Sequence, residues 1–133
     1  MGPFPARLTS RPAVVAIAAY LVLACGLTWP LPLHLTTHFT GSPTGDLGVY
    51  VWNLWIFDHE LAQHGQLPFS TDHVFAYTGG ADFTLHNYTP LAGLAGMPLI
   101  PWLGIVGAFN VLVIVALLTS GFGVYVLARR SGL

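Results

Sequence analysis

The sequence predicts an all-α integral membrane protein. Two transmembrane helices, with both chain ends cytoplasmic, are joined by a long extracytoplasmic loop carrying amphipathic juxtamembrane helices. Three observations carry this expectation. Only 7% of the 133 residues are charged while 54% are hydrophobic, whereas soluble domains carry about 25% charged residues. Two long stretches lack charge altogether, from Arg11 to Asp46 and from Phe83 to Ala128. All four basic residues (Arg7, Arg11, Arg129 and Arg130) lie outside those stretches, and all five acids and six histidines lie in the segment between the predicted spans. With no lysine and a net charge of −1, the chain has no electrostatic footprint for nucleic acid. A mean hydropathy of +0.68 agrees with the membrane class.

Residues 1–11 form a cytoplasmic tail, and residues 12–33 supply the first span. A crossing needs about 20 mostly apolar residues. Trp29 followed by Pro30 and Pro32 marks the exit, since tryptophan favours the interface and proline ends helices. A rival reading makes the first 25 residues a secretory signal, with "LVLAC" resembling a lipoprotein cleavage site. Leu23 fits that site poorly, and apolar sequence continues past Cys25. Cys25, the sole cysteine, excludes an internal disulfide and reads as a small buried hydrophobe.

Residues 105–128 form the second span, free of proline. Residues 90–104, "PLAGLAGMPLIPWLG", hold three prolines and read as an interfacial or re-entrant segment. Positive residues stay cytoplasmic, so two spans place Arg129 and Arg130 inside and residues 34–104 outside. Residues 129–133 then begin a cytoplasmic segment of what reads as a fragment of a longer polytopic protein. The plasma (inner) membrane is the expected location.

The loop is where polarity gathers. "TGDLGVYVWNLWIFDHELAQHG" predicts a helix over residues 46–64, ending at Gly65. At about 100° per residue, Asp46, Asn53, Glu60 and His64 share a stripe, with Val51, Trp55 and Ala62 opposite. The bland reading is a solvated stripe on an interfacial helix. Asp46 and Glu60 lie about 21 Å apart along such a helix and cannot serve one reacting centre. Asp46 follows the turn-rich "GSPTG"; it reads as a helix N-cap, or as a carboxylate acting as general base or cation ligand at the membrane surface.

Downstream, Asp72, His73, Asp82 and His86 are metal-ligand types at spacings that match no compact motif, so no metal site is assigned. Gly79-Gly80 reads as a turn. Asn87-Tyr88-Thr89 fits a glycosylation sequon followed by Pro90. In the second span, Ala116, Ser120, Gly121 and Gly123 form a small-residue face suited to close helix contact, implying further transmembrane helices in cis or in trans.

The order of a span, a turn with one acid, "GDLGVYVWNLWIFDHELAQHGQLPF", an aromatic glycine-containing loop, "LHNYTPLAGLAGMPL" and a span ending in "LARR" resembles the N-terminal part of bacterial GT-C glycosyltransferases. The YfhO-like and mannosyltransferase-like membrane proteins belong to this group. The resemblance implies transfer of a sugar from a polyprenyl-phosphate donor at the outer membrane face. It implies Asp46 as the essential acid, acting on the acceptor or helping to hold a divalent cation. It places His86 and Pro90 in a proline-bearing motif near the donor. Two features depart from the pattern: Leu47 stands where some members carry a second acid, and His86 where some carry a stronger base. Two helices cannot enclose a lipid-facing cavity, so the segment is expected to be inactive alone. The alternative is a non-enzymatic two-span protein: a subunit, an assembly factor or a truncated relic. A transporter fragment predicts an ionisable residue within a span, and Asn110 is the strongest polar group in the second span.

Overall fold

The computed structural model describes residues 11–41, 45–72 and 79–132. They are mostly helical and fall into two compact units, one of residues 11–33 with 113–132 and one between residues 34 and 112.

In the first unit, α1 (Arg11–Leu27) is a 17-residue apolar helix. It is followed by a 3₁₀ turn, Leu31–Leu33. The regular helix stops short of the prolines because the ring at Pro30 offers no N–H and disfavours helix at the residue before it. The Thr28 hydroxyl donates to the Ala24 carbonyl at 2.9 Å and closes the last turn. The other part of this unit is the C-terminal portion of α4 (Ile100–Arg130). Gly121 sits against the ring of Tyr20, where a Cβ would collide, whereas Gly123 faces open space. Of the two glycines on the small-residue face, Gly121 is therefore the one in close contact with α1 inside this unit.

The path Pro90–Arg130 is the one helix among the described residues that is long and apolar enough to cross a membrane, with a mean hydropathy of 2.4 over an 18-residue window. It is not one regular helix. Pro90 opens α3 (Pro90–Gly96), a 3₁₀ turn covers Met97–Leu99, and α4 begins at Ile100. Gly104, at φ 66°, breaks the early part of α4. Each proline sits where a helix starts and its missing N–H is not needed. Beyond Gly104, 26 residues at 1.5 Å each give about 39 Å of helix, against a hydrocarbon core of about 30 Å.

The second unit is built around α2 (Leu47–Asp58). Its last turn widens into a π turn, His59–Gln63. The chain then reverses at Gly65, whose φ of +67° suits glycine, and the Gln66 N–H closes on the Glu60 carbonyl at 2.9 Å. Leu54, Ile56 and Phe57 are buried, each such side chain contributing about 1.5–3 kcal/mol. Helix α3 packs on them through its glycines. A Cβ at Gly93 would enter the Phe57 ring, and one at Gly96 would come within 2.6 Å of Leu54. A two-residue antiparallel ladder, β1 (Ser70–Thr71) with β2 (Ala81–Asp82), pairs Ser70 with Asp82 and Thr71 with Ala81. Gly80, at φ +69°, faces the Thr71 carbonyl with no room for a side chain. Asn110 of α4 donates to the carbonyls of Leu35 at 2.7 Å and His38 at 2.6 Å, fixing the start of this unit.

The stripe on residues 46–64 departs from expectation, because it does not face solvent at its centre: Asn53 is 1% exposed and Glu60 is fully buried. Helical spacing decides which residues share a face, but α3 and the β-ladder decide which face is covered.

Candidate functional site

Helix α2 positions the polar groups. Asn53 projects from its middle into the segment that precedes α3. Its Nδ2 donates to the Asn87 carbonyl at 2.6 Å, so its Oδ1 is left to accept, and His86 Nε2 lies 3.0 Å from it. That chain fixes the imidazole tautomer: Nε2 carries the proton and Nδ1 the lone pair. The Trp52 ring meets His86 edge-on at 5.7 Å and Phe83 at 5.4 Å. Asn87 Nδ2 reaches the Tyr50 hydroxyl at 3.3 Å.

Trp52, Phe83 and His86 border a cleft of about 590 Å³ whose walls also include Gly48, Val49 and Asp82. The walls are chiefly apolar, with His86 and Asp82 as the polar edge. Asp82 is engaged locally. Its Oδ1 accepts from the Thr84 N–H at 2.7 Å and from the Thr84 hydroxyl, and these bonds, the hydroxyl first, hold its carboxyl below the usual range. A second apolar hollow of about 460 Å³ shares Gly48 and Trp52 and adds Phe39, Val51, Trp55 and Ile105.

Comparison of the chain with protein-family models, curated proteins and solved structures returns no significant match.

The three residues singled out from the sequence are placed differently from one another. His86 lines the larger cleft, exposed but held by Asn53. Asp46 is the exposed N-cap residue of α2. Its carbonyl accepts the Tyr50 N–H at 3.2 Å, but its side chain makes no capping bond. It does not line either cleft, although Leu47 and Gly48, the next two residues, do. Pro90 is the first residue of α3 and lines neither cleft. Of the four metal-ligand types, Asp72 is exposed beyond β1, Asp82 is held in its turn, His86 borders the cleft and His73 lies outside the described residues.

A different group converges instead. His59, Glu60 and His64 each bring one ligand-type atom within 4.8 Å of the others. The Glu60 carboxylate accepts the Thr71 hydroxyl, which the β-ladder carries into place. His59 Nδ1 lies 3.2 Å from the Gln63 Oε1, His64 Nδ1 lies 3.0 Å from the His59 carbonyl, and Trp55 stacks on His59 at 4.8 Å. "HELAQH" was the sequence signal: two histidines flanking an acid at near-helical spacing. A regular α-helix would turn His59 away from the other two, which is why the helical stripe leaves it out.

Proposed function

We propose that this chain is a membrane-embedded segment with two spans and both ends cytoplasmic, whose extracytoplasmic loop binds a lipid-phosphate sugar donor as the first loop of a GT-C-like glycosyltransferase. In that reading α1 and the later part of α4 cross the plasma membrane, and residues 34–104 face outward. The observation that carries the proposal is His86, held by Asn53 at the rim of an otherwise apolar cleft. An apolar wall suits a polyprenyl chain, and with Nε2 committed to Asn53 the ring meets a phosphate as the imidazolium, donating through Nδ1–H. Asp46, two residues before Gly48 of that cleft, is the proposed base toward the acceptor. Sugar transfer then requires further helices from a longer chain or from another subunit.

The exposed apolar surface of α1, with Val22 71% and Leu27 78% exposed, favours helix partners or lipid around it. It equally supports a second reading, a non-enzymatic two-span subunit. Binding of a fluorescent polyprenyl phosphate to the chain in lipid nanodiscs separates the two. The first reading expects binding that weakens about tenfold in His86→Ala, a loss of about 1.4 kcal/mol, and is unaffected by Asp46→Asn. Equal affinity in wild type and His86→Ala would leave the subunit reading. Orientation is checked on Asp72→Cys in a Cys25→Ser background: an impermeant thiol reagent should label intact cells.

A further inference from the structure

We propose that His59, Glu60 and His64 form a binding site for one divalent transition-metal ion of the zinc class. The site stands on the π turn and is independent of the sugar-donor reading.

The backbone makes the site. In an α-helix, residues five apart point about 140° away from each other. Two histidines that share a metal on a regular helix therefore sit four apart, as in the HExxH arrangement. Here the run is His-Glu-Leu-Ala-Gln-His, one residue longer. The π turn over His59–Gln63 absorbs that residue. Its wider register returns His64 beneath His59, with ring centroids 4.5 Å apart. Single-turn π segments are uncommon and are frequently found at functional sites.

The side chains are oriented as ligands are. A carbonyl can only accept, so His64 Nδ1 donates to the His59 carbonyl at 3.0 Å, putting the lone pair of that ring on Nε2. His59 Nδ1 donates in the same way to the Gln63 Oε1 at 3.2 Å. The Thr71 hydroxyl steadies the Glu60 carboxylate, and the Trp55 ring, tilted by only 20°, limits rotation of His59. Metal-bound histidines ordinarily have such outer partners holding the second ring nitrogen.

Burial strengthens the attraction. Glu60 has no exposed surface and accepts the Thr71 hydroxyl, and away from bulk water its carboxylate attracts a cation more strongly than an exposed one would. Two imidazoles with one carboxylate select zinc, cobalt or nickel over calcium and magnesium, which prefer all-oxygen shells. With bonds of about 2.0–2.2 Å, tetrahedral ligand atoms stand about 3.3 Å apart. Closing from within 4.8 Å to that spacing is a side-chain adjustment, and His64 is exposed and has room to make it. Three protein ligands leave a fourth position for water or another ligand.

The test uses the full chain in detergent micelles, titrated with cobalt(II) and then displaced with zinc(II). The expected result is one ion per chain, a visible absorption band typical of low coordination number, and displacement by zinc but not by magnesium. His64→Gln should weaken binding at least tenfold with unchanged helical circular dichroism, and His59→Gln should do the same. Glu60 is buried, so Glu60→Gln is scored only alongside its circular dichroism, and His64→Gln carries the test. The His34→Asn/His38→Asn double variant alters a second close histidine pair among the described residues, with rings 4.7 Å apart, and should bind as wild type does. Binding no tighter in wild type than in His64→Gln, binding lost in the His34/His38 variant, or displacement by magnesium would each overturn the assignment.

Discussion

The Nε2 of His86 lies 3.0 Å from the Oδ1 of Asn53, and Asn53 is 1% exposed. A buried amide on α2 thus holds an exposed imidazole 33 residues away in sequence. Because Asn53 also donates to the Asn87 carbonyl at 2.6 Å, neither of its polar atoms can swap roles without breaking a bond.

Asn53→Ala follows directly from this relationship. It removes both hydrogen bonds and leaves the Asn87 carbonyl without that donor. The expected cost is about 1–3 kcal/mol of stability, read as a lower unfolding midpoint in micelles. His86, no longer oriented, should also bind lipid phosphate more weakly. An unchanged midpoint would mean that Asn53 is not held as described.

Two glycines of the same unit should respond differently to alanine. At Gly93 a Cβ would enter the Phe57 ring, so Gly93→Ala should destabilise by about 1–3 kcal/mol through overpacking. At Gly48, in the first turn of α2, nothing lies within 4 Å of where a methyl group would stand. Gly48→Ala should therefore be neutral or stabilising by about 0.5–1 kcal/mol, because alanine loses less conformational freedom in a helix. Thermal unfolding of both variants side by side checks the α2–α3 contact.

Tyr88 should make the protein alkali-sensitive. Its hydroxyl is buried with no hydrogen-bond partner among the described residues, and its ionisation is pushed up from 10.0 to about 12, first by burial and then by the charge on Glu60. Below pH 10 the group is protonated in both states and its contribution is fully present. Between pH 10 and about 12 the unfolded chain holds fewer protons than the folded one, so stability falls as pH rises through that window. Tyr88→Phe keeps the ring contact with Phe83, at 5.5 Å in the native chain, and has no proton to lose. Denaturant unfolding with a metal chelator present, at about pH 9 and about pH 11, should show a smaller pH-dependent loss in the variant. Equal losses in the two proteins would remove Tyr88 as the cause.

Much of the chain's organisation is legible from residue chemistry alone. The helix that opens after Asp46 and the reversal at Gly65 follow from helical spacing and from a glycine able to take positive φ. The breaks around residues 90–104 follow from prolines that lack an N–H and from Gly104 at φ 66°. The apolar length of Pro90–Arg130 follows from composition. These are local properties, fixed by what each residue permits its own backbone to do.

Tertiary structure decided the rest. Spacing grouped Asp46, Asn53, Glu60 and His64, but it could not say that α3 and the β-ladder would bury Asn53 and Glu60 and leave Asp46 outside. Nor could it anticipate the π turn, which shifts the helical phase by one residue and brings His59 and His64 together around Glu60. Sequence determines which side chains can share a face. Which face is covered, and where a helix gives up its regular register, depends on neighbours contributed by distant parts of the chain.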